Sequence, residues 1–207
     1  METKRLSELL HACPAPDKTA VHEALADALQ KNPAKVVVLD DDPTGIQTVH
    51  DVNVYTDWEF ESILAGFKEP GRMFYILTNS RSFSAEKTQQ VHAEIARGVW
   101  RASRETKKDF ILISRGDSTL RGHWPLETQT LCDTLESLSG IAADGEIIAP
   151  FFREGGRYTA ENVHYVADGD ILVPAGETEF AKDKTFGYSS SELPAWAARR
   201  KHSERLT

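Results

Sequence analysis

The chain has 207 residues, of which 40% are hydrophobic and 27% charged, a composition that is typical of a folded globular protein and excludes a disordered one. Its formal net charge of −8 argues against binding to nucleic acid or to an anionic membrane through a basic face. No apolar run approaches the roughly 20 residues that span a bilayer, and the amino terminus lacks the apolar core of a signal peptide, so we expect a cytoplasmic protein.

Residues 1–34 are predicted to form a helical arm. Two short helices are separated by a pair of prolines, and Pro33 ends the second helix. Val21, Leu25 and Leu29 fall on one face of that helix. We expect this apolar face to cover the sheet or a partner.

Residues 35–207 are predicted to form one α/β domain. Apolar strands alternate with helical patterns, which is typical of a doubly wound, mainly parallel sheet flanked by helices. After Arg157 the pattern changes and predicts a C-terminal β-hairpin extension over 157–174. The predicted strands of the sheet are 36–39, 52–56, 73–77, 110–113 and 146–149, and the predicted helices between them are 58–68, 84–105 and 126–138.

Three consecutive aspartates, Asp40, Asp41 and Asp42, follow the first apolar strand without a break. Pro43 excludes a helical conformation at Asp42, and Gly45 allows the backbone to turn tightly. Carboxylates held this close repel one another and need a cation, a hydrogen-bond donor or a proton nearby. Because strand stability requires no such cluster, it predicts a functional site, with Mg²⁺ or substrate hydroxyls as the counter-group.

Polar residues also follow the later strands. The carboxyl ends of parallel strands open on one edge of the sheet, where such sheets bind ligands, so we expect these loops to converge. Their arginines suit a carboxylate or phosphate, and their aspartates suit hydroxyls or a metal ion. A small ligand with one acidic end and several hydroxyls, such as an acid sugar, would satisfy both sets. The polar loops are 40–45, 78–81, 114–122 and 153–157.

These motifs together resemble the amino-terminal, sugar-binding domain of the four-carbon acid sugar kinases. The resemblance runs from about residue 36 to residue 188, and its most specific parts are LDDDPTG at 39–45 and DSTLRG at 117–122. It implies a two-domain kinase that transfers a phosphoryl group from ATP to a hydroxyl of a tetronate such as erythronate, threonate or 3-oxo-tetronate. Further landmarks are TNSRS at 78–82, APFFREGGRYT at 149–159 and ETEFAKDKTFGY at 177–188.

The resemblance also assigns roles to residues. It implies that Asp41 and Asp42 are catalytic, either as the general base or in holding the reacting hydroxyl, and that Arg81 and Arg121 grip the substrate carboxylate. His123 stands where many relatives have asparagine, so its contact with substrate is expected to differ. No metal ligand is assigned. The other implied substrate-binding residues are Thr44, Gly45, Ser80, Asp117, Ser118, Gly122 and Arg157.

The implied kinase needs a second domain that binds ATP and Mg²⁺. None of the usual glycine-rich nucleotide loops occurs in this sequence, which ends at Thr207. We therefore expect the ATP-binding domain to be supplied in cis or by a separate chain, and this chain alone to be inactive. The expected partners are that domain and a small acid-sugar substrate. The sequence leaves open whether the chain forms a homo-oligomer.

Two other interpretations stay open. In a phosphatase of the haloacid-dehalogenase type, Asp40 would attack phosphorus, Asp42 would protonate the leaving group and Mg²⁺ would bridge them. The spacing of Asp40, Asp42 and Thr44 fits that family, but Arg121 follows the later Gly-Asp pair where a second acidic residue is expected. The other interpretation is a binding module without catalysis, which we rank above the phosphatase and below the kinase domain.

Overall fold

A computed structural model describes residues 3–204 of the chain. The ends of the predicted arm and domain, residues 1–2 and 205–207, lie outside the described residues, and the boundary at residue 34 stays a prediction. The strands are β1 (Lys4–Arg5), β2 (Lys35–Asp40), β3 (Asn53–Tyr55), β4 (Met73–Leu77), β5 (Phe110–Arg115), β6 (Arg157–Ala160), β7 (Val163–Asp168) and β8 (Ile171–Pro174). The α-helices are α1 (Leu6–Ala12), α2 (Lys18–Lys31), α3 (Phe60–Lys68), α4 (Ala85–Thr106), α5 (Leu126–Ser139) and α6 (Leu193–Glu204).

The predicted parallel sheet is confirmed, with the strand order β3-β4-β2-β5. In the pairing of its strands, Asp40 at the end of β2 aligns with Leu77 of β4 and with Arg115 of β5. Three strands therefore end level with one another. Their loops leave from one edge of the sheet, as the sequence predicts.

The core lies between this sheet and three helices, α3, α4 and α5. Alternate residues of β2, such as Val37 and Leu39, point toward the helices and are buried. The facing stripe on α4 includes Val91, Ile95 and Val99, each with no exposed surface. Ser84 caps this helix by accepting a hydrogen bond from the Lys87 backbone N–H, which completes the partial capping signal in the sequence.

The predicted doubly wound arrangement is wrong in one respect, because helices cover only one face of the sheet. On the other face, Ile111 and Ile113 of the edge strand β5 are 46% and 42% exposed. Covering that face would require a helix between β2 and β3, but residues 41–52 form turns and bends there. The acidic sequence that builds the site thus replaces the helix that double winding needs.

The predicted strand 146–149 is also wrong. Residues 145–150 have no regular structure, and Ile147 is 94% exposed. The apolar run is short and lies between Gly145 and Pro150, and neither residue favours a strand. Glu146 is instead held by a hydrogen bond of 2.6 Å from the indole N–H of Trp124.

The predicted C-terminal hairpin is confirmed as part of a second, antiparallel sheet with the order β1-β8-β7-β6. Strands β7 and β8 are joined by a tight turn in which Gly169 adopts a φ of 59°, as the Asp-Gly pair predicts. The sequence did not predict that β1 would pair with β8. That pairing ties the start of the chain to the hairpin.

The two helices of the arm are confirmed, but their expected packing is not seen. Asp17 caps α2 by accepting hydrogen bonds from the Thr19 and Ala20 backbone N–H groups. However, α2 has no buried residue, and Val21 and Leu25 are 52% and 53% exposed. Among residues 3–204, the apolar face of α2 therefore covers nothing. No helix in this range is long and apolar enough to cross a membrane.

Candidate functional site

The loops after β2, β4 and β5 meet at the edge of the parallel sheet. The backbone joins them directly, since the Thr78 N–H donates to the Asp40 carbonyl and the Asp41 N–H donates to the Arg115 carbonyl. The Arg81 N–H also donates to the Asp41 carbonyl at 3.3 Å. The convergence predicted for 40–45, 78–81 and 114–122 is thus held by main-chain hydrogen bonds, whereas the fourth predicted loop, 153–157, follows no strand of this sheet.

Asp41 and Arg81 form the central pair of the site. The guanidinium donates from Nε and Nη2 to both carboxylate oxygens of Asp41, at 3.0 and 2.7 Å. Its Nη1 lies 3.3 Å from Asp42 and 3.8 Å from Asp117. One arginine therefore links the carboxylates of two loops, and its Nη1 is the part of the fork that is least engaged.

The loop 117–122 is organised around its own aspartate. Asp117 accepts hydrogen bonds from the Thr119 hydroxyl and from Arg121 Nε, the latter at 2.8 Å. Gly122 has a φ of 116°, and a Cβ added there would lie 3.3 Å from Asp41 Oδ2. Glycine at this position lets the loop approach the acidic turn.

The four carboxylates differ in how readily they bind a proton. Burial raises the pKa of Asp40 and of Asp41, and it outweighs the lowering effect of their arginine partners. Burial also acts on Asp42, but hydrogen bonds from Thr44 outweigh it and lower the pKa of that carboxyl. In Asp117, hydrogen bonds from Arg121 and Thr119 overcome burial in the same way and lower the pKa. Asp42 and Asp117 are therefore the carboxylates best kept ionised.

Asp40 is sealed beneath the site. Its side chain has no exposed surface, and one oxygen accepts a hydrogen bond of 3.0 Å from Arg115. The other oxygen, Oδ2, has no hydrogen-bond partner in the described part of the chain. A Cβ added to Gly45 would lie only 1.9 Å from Oδ2. Asp40 is thus closed off from solvent and paired with Arg115, which argues against its attack on phosphorus in the phosphatase interpretation.

Other residues predicted for the site lie around this centre with different contacts. The Thr44 hydroxyl donates to Asp42 at 2.5 Å. Ser80 is fully buried and faces away from the open side. The Ser118 carbonyl accepts a hydrogen bond from His164. The His123 ring donates to the Phe83 carbonyl at 3.0 Å and packs edge-on against Phe186.

Arg157 comes from the antiparallel sheet and does not pair with the aspartates of the centre. Its guanidinium lies 5.1 Å from the Phe180 ring centroid, while that of Arg121 lies 5.3 Å from the same ring. Phe180 therefore bridges two predicted site residues through cation–π contacts. Arg157 also donates to the Gly155 carbonyl.

The segment 177–188 contributes site residues that the sequence reasoning missed. Phe180 is one, and Asp183 Oδ2 lies 3.8 Å from Arg121 Nη1. The Tyr188 hydroxyl donates to the Thr119 carbonyl at 2.6 Å. The motif ETEFAKDKTFGY was the available signal, since it belongs to the family resemblance, but no residue in it had been assigned a role. Glu127, described below, was missed as well.

No group of three or more histidine, cysteine or acidic residues within residues 3–204 is arranged to hold a metal ion. Arginines, rather than ligand-competent side chains, stand between the aspartates of the site. The residues present thus do not fit a Mg²⁺ ion held by this chain alone.

A family model described as a sugar-binding N-terminal domain matches residues 36–206. No curated protein matches the chain. A solved structure from Salmonella typhimurium LT2, provisionally assigned as a tRNA synthase, is similar with a TM-score of 0.54 and 16% identity, over 81% of this chain and 38% of that one.

A second solved structure comes from Bordetella bronchiseptica and contains a domain of unknown function, DUF1537, with bound citrate in a domain-swapped dimer. Its TM-score is 0.53 at 24% identity, over 79% of this chain and 39% of that one. Both likenesses concern the fold. The chain thus spans about two fifths of the length of these two structures.

Proposed function

Because this chain belongs to the family of sugar-binding N-terminal domains, we propose that it binds a four-carbon acid sugar as the substrate domain of an ATP-dependent kinase. The family description supports a sugar as the ligand, and the motifs at 39–45 and 117–122 resemble those of the four-carbon acid sugar kinases. The substrate class is a tetronate such as erythronate, threonate or 3-oxo-tetronate. The reaction is phosphoryl transfer to one of its hydroxyls.

The observation that carries the proposal is the alternation of aspartates and arginines at one sheet edge. Asp42 and Asp117, whose pKa values are lowered, are acceptors for substrate hydroxyls. The Nη1 atoms of Arg81 and Arg121 make only ion-pair contacts of 3.3 to 3.8 Å, so they keep donors for a substrate carboxylate. The citrate bound by the Bordetella protein is itself a hydroxylated carboxylate, which supports this ligand class.

Asp42 is our first candidate for the residue that holds the reacting hydroxyl. Its side chain is 26% exposed, whereas that of Asp41 is 3% exposed and engaged by Arg81 at both oxygens. Phosphoryl transfer depends mostly on positioning and charge stabilisation, so an ionised acceptor that orients the hydroxyl is sufficient. Asp41 then serves mainly to orient Arg81 toward the substrate.

ATP and Mg²⁺ would bind to a separate ATP-binding domain, in cis or on another chain. This assignment follows from the family resemblance. In this proposal the chain alone binds the acid sugar but does not phosphorylate it. A cytoplasmic location and homo-oligomerisation are part of the same proposal, the latter supported by the dimer of the Bordetella protein.

Isothermal titration of this chain with a panel of tetronates tests the proposal. We expect at least one tetronate to bind, and D42N to weaken its binding about 10- to 100-fold, because a hydrogen bond to a charged group is lost. D144N is the matched control, since Asp144 is exposed and belongs to none of the polar loops. Failure of every tetronate to bind, or equal effects of D42N and D144N, would contradict the proposal.

Turnover tests the catalytic part separately. When the chain is combined with the ATP-binding domain, D42N should abolish phosphorylation of the tetronate while the chain stays folded, as a cooperative thermal unfolding transition would show. Unchanged turnover in D42N would refute the assignment of Asp42.

A further inference from the structure

We propose that Glu127 is a positioning residue, which holds Ser80 and thereby fixes the turn that presents Arg81 to Asp41. The proposal deepens the proposed function and rests on it for one step, the use of Arg81 in substrate binding. The structural part, from Glu127 to Arg81, stands on the contacts of this chain alone.

Glu127 lies in the first turn of α5 and is only 4% exposed. A buried carboxyl needs a specific partner. Its Oε1 accepts a hydrogen bond of 2.7 Å from the hydroxyl of Ser80, which has no exposed surface. The two residues are 47 positions apart in sequence. The contact therefore joins α5 to the loop that follows β4.

Ser80 opens the turn that carries Arg81. The turn is a single 3-10 element, Ser80–Ser82, and it follows Asn79, which adopts a left-handed φ of 55°. So short an element is held in place by contacts beyond its own hydrogen bonds. The Ser80 hydroxyl provides such a contact inward, to Glu127, while Arg81 points outward to Asp41. Glu127 and Asp41 thus hold opposite sides of one turn.

His92 on α4 also faces Glu127, with its Nε2 3.8 Å from Glu127 Oε1. Its other ring nitrogen, Nδ1, donates to the Thr88 carbonyl at 2.8 Å, so a neutral His92 has a bare Nε2. Burial lowers the pKa of His92 and favours that neutral form. A neutral histidine provides no counter-charge for an ionised Glu127.

Burial and the nearby charge of Asp41 favour the neutral form of Glu127 as well. Burial raises the pKa of Glu127, and Asp41 raises it further. The hydrogen bond from Ser80 and the charges of His123 and Arg81 act in the opposite direction and are outweighed. The raised pKa favours a protonated Glu127 carboxyl, which can accept the hydrogen bond from Ser80. An uncharged glutamine of the same shape should do the same.

The test compares E127Q with E127A in the full chain, without ligand. The readout is the ¹⁵N–¹H NMR signal of Arg81 Nε–H, assigned by its loss in R81K and protected from solvent exchange by Asp41. We expect E127Q to keep the wild-type exchange rate and E127A to raise it about tenfold or more, because the turn is released. E136Q, at an exposed position of the same helix, is the matched control and should change nothing.

S80A removes the same hydrogen bond by deleting the hydroxyl of Ser80, which is a smaller change than E127A. It therefore replaces E127A in the test if E127A does not fold. We expect S80A to raise the exchange rate as E127A does, and the double variant S80A/E127A to add nothing. An unchanged Arg81 signal in S80A or E127A would overturn the positioning role. If E127Q raised the exchange rate of Arg81 Nε–H as much as E127A does, the role of a neutral carboxyl would be overturned.

The final step is binding. If a tetronate binds the wild-type chain, E127A should lower the affinity for it about tenfold or more, while the affinity of E127Q should stay within about twofold of the wild-type value. Equal affinities of E127A and wild type would overturn the link to substrate. Failure of wild type to bind any tetronate would instead refute the proposed function, and the Arg81 signal would still decide the structural part.

Discussion

The acidic turn 40–45 places a buried aspartate beside an arginine and the loop 117–122 places a largely buried one there, but they do so in different ways. Asp117 is satisfied within its own loop by Thr119 and Arg121. Asp41 depends on Arg81, which is 40 residues away and follows another strand. The first arrangement is local, whereas the second exists only after the sheet has formed.

The pKa values of the two aspartates reflect this difference. Asp117, surrounded by donors of its own loop, has a lowered pKa despite its burial. Asp41 is more deeply buried, and the charges of Arg81 and Arg115 do not offset the cost of burial, so its pKa is raised. The acidic turn 40–45, which depends on tertiary contacts, thus contains the aspartate whose charge is more destabilising to the fold. Substitutions in the two loops should separate these cases.

The largest effect is expected for R81A. It leaves Asp41 buried without its counter-ion, which should lower the free energy of unfolding by about 3 kcal/mol at pH 7. R121A should cost less, because Asp117 keeps the Thr119 hydroxyl. Urea unfolding measures both, with R97A at an exposed position of α4 as the control for lost positive charge. Equal losses in R81A and R121A would remove the distinction between the two loops.

A smaller loss is expected for G45A. The added methyl group would lie 1.9 Å from Asp40 Oδ2 and 2.4 Å from Arg115 Nη1, and relieving this overlap should cost about 1–3 kcal/mol. G145A is the matched control, because a Cβ there meets nothing within 4 Å. Thermal unfolding compares the two variants. A wild-type midpoint in G45A would show that the acidic turn is not packed against Asp40 as described.

The pH dependence of stability should differ between D117N and D41N. Because the pKa of Asp117 is lowered by folding, its contribution is present above the ordinary aspartate value of about 3.9 and is lost as the pH falls through the folded-state pKa. D117N should therefore weaken the acid sensitivity of the fold.

The sign is reversed for Asp41. Its raised pKa means that the carboxylate costs stability at neutral pH, and this cost is relieved as the pH falls through the folded-state pKa. D41N should therefore remove a gain on acidification and make the fold relatively more acid-sensitive. Urea unfolding between pH 3 and pH 7 measures both slopes, and slopes that change in the same direction would contradict the assignment.

The smallest effect is expected for Y188F. The Tyr188 hydroxyl donates to the Thr119 carbonyl from outside the loop 117–122. Since Asp117 organises the loop locally, losing this contact should cost only about 1 kcal/mol. Y158F is the control, because the Tyr158 ring packs against Phe151 and its hydroxyl makes no hydrogen bond among the described residues. A loss in Y188F as large as that in R81A would mean that the loop depends on tertiary contacts after all.

Much of the site could be predicted from the sequence, because it depends on where strands end. The apolar segments that became β2, β4 and β5 were recognisable, and parallel strands open their carboxyl ends on one edge. The convergence of Asp41, Arg81 and Asp117 followed from that rule. Glu127 could not be found in this way, because its role depends on a contact with Ser80 across 47 residues of sequence.

The helices α4 and α2 show the limit of sequence patterns in the fold. Both have apolar residues at helical spacing, and both were correctly predicted as helices. In α4, Val91, Ile95 and Val99 are fully buried, whereas Val21 and Leu25 of α2 are about half exposed. The spacing of apolar residues predicts that a helix has an apolar face, but it does not predict where that face will lie relative to the sheet.

The sequence by itself therefore determined most of the elements, the edge at which polar loops meet and the chemistry of those loops, because these depend on local pattern and on the direction of parallel strands. Tertiary structure decided which face of the sheet is covered, that residues 145–150 stay outside the sheet and which carboxyl groups have raised pKa values. Burial and ion pairing arise from residues distant in sequence, so no local pattern encodes them.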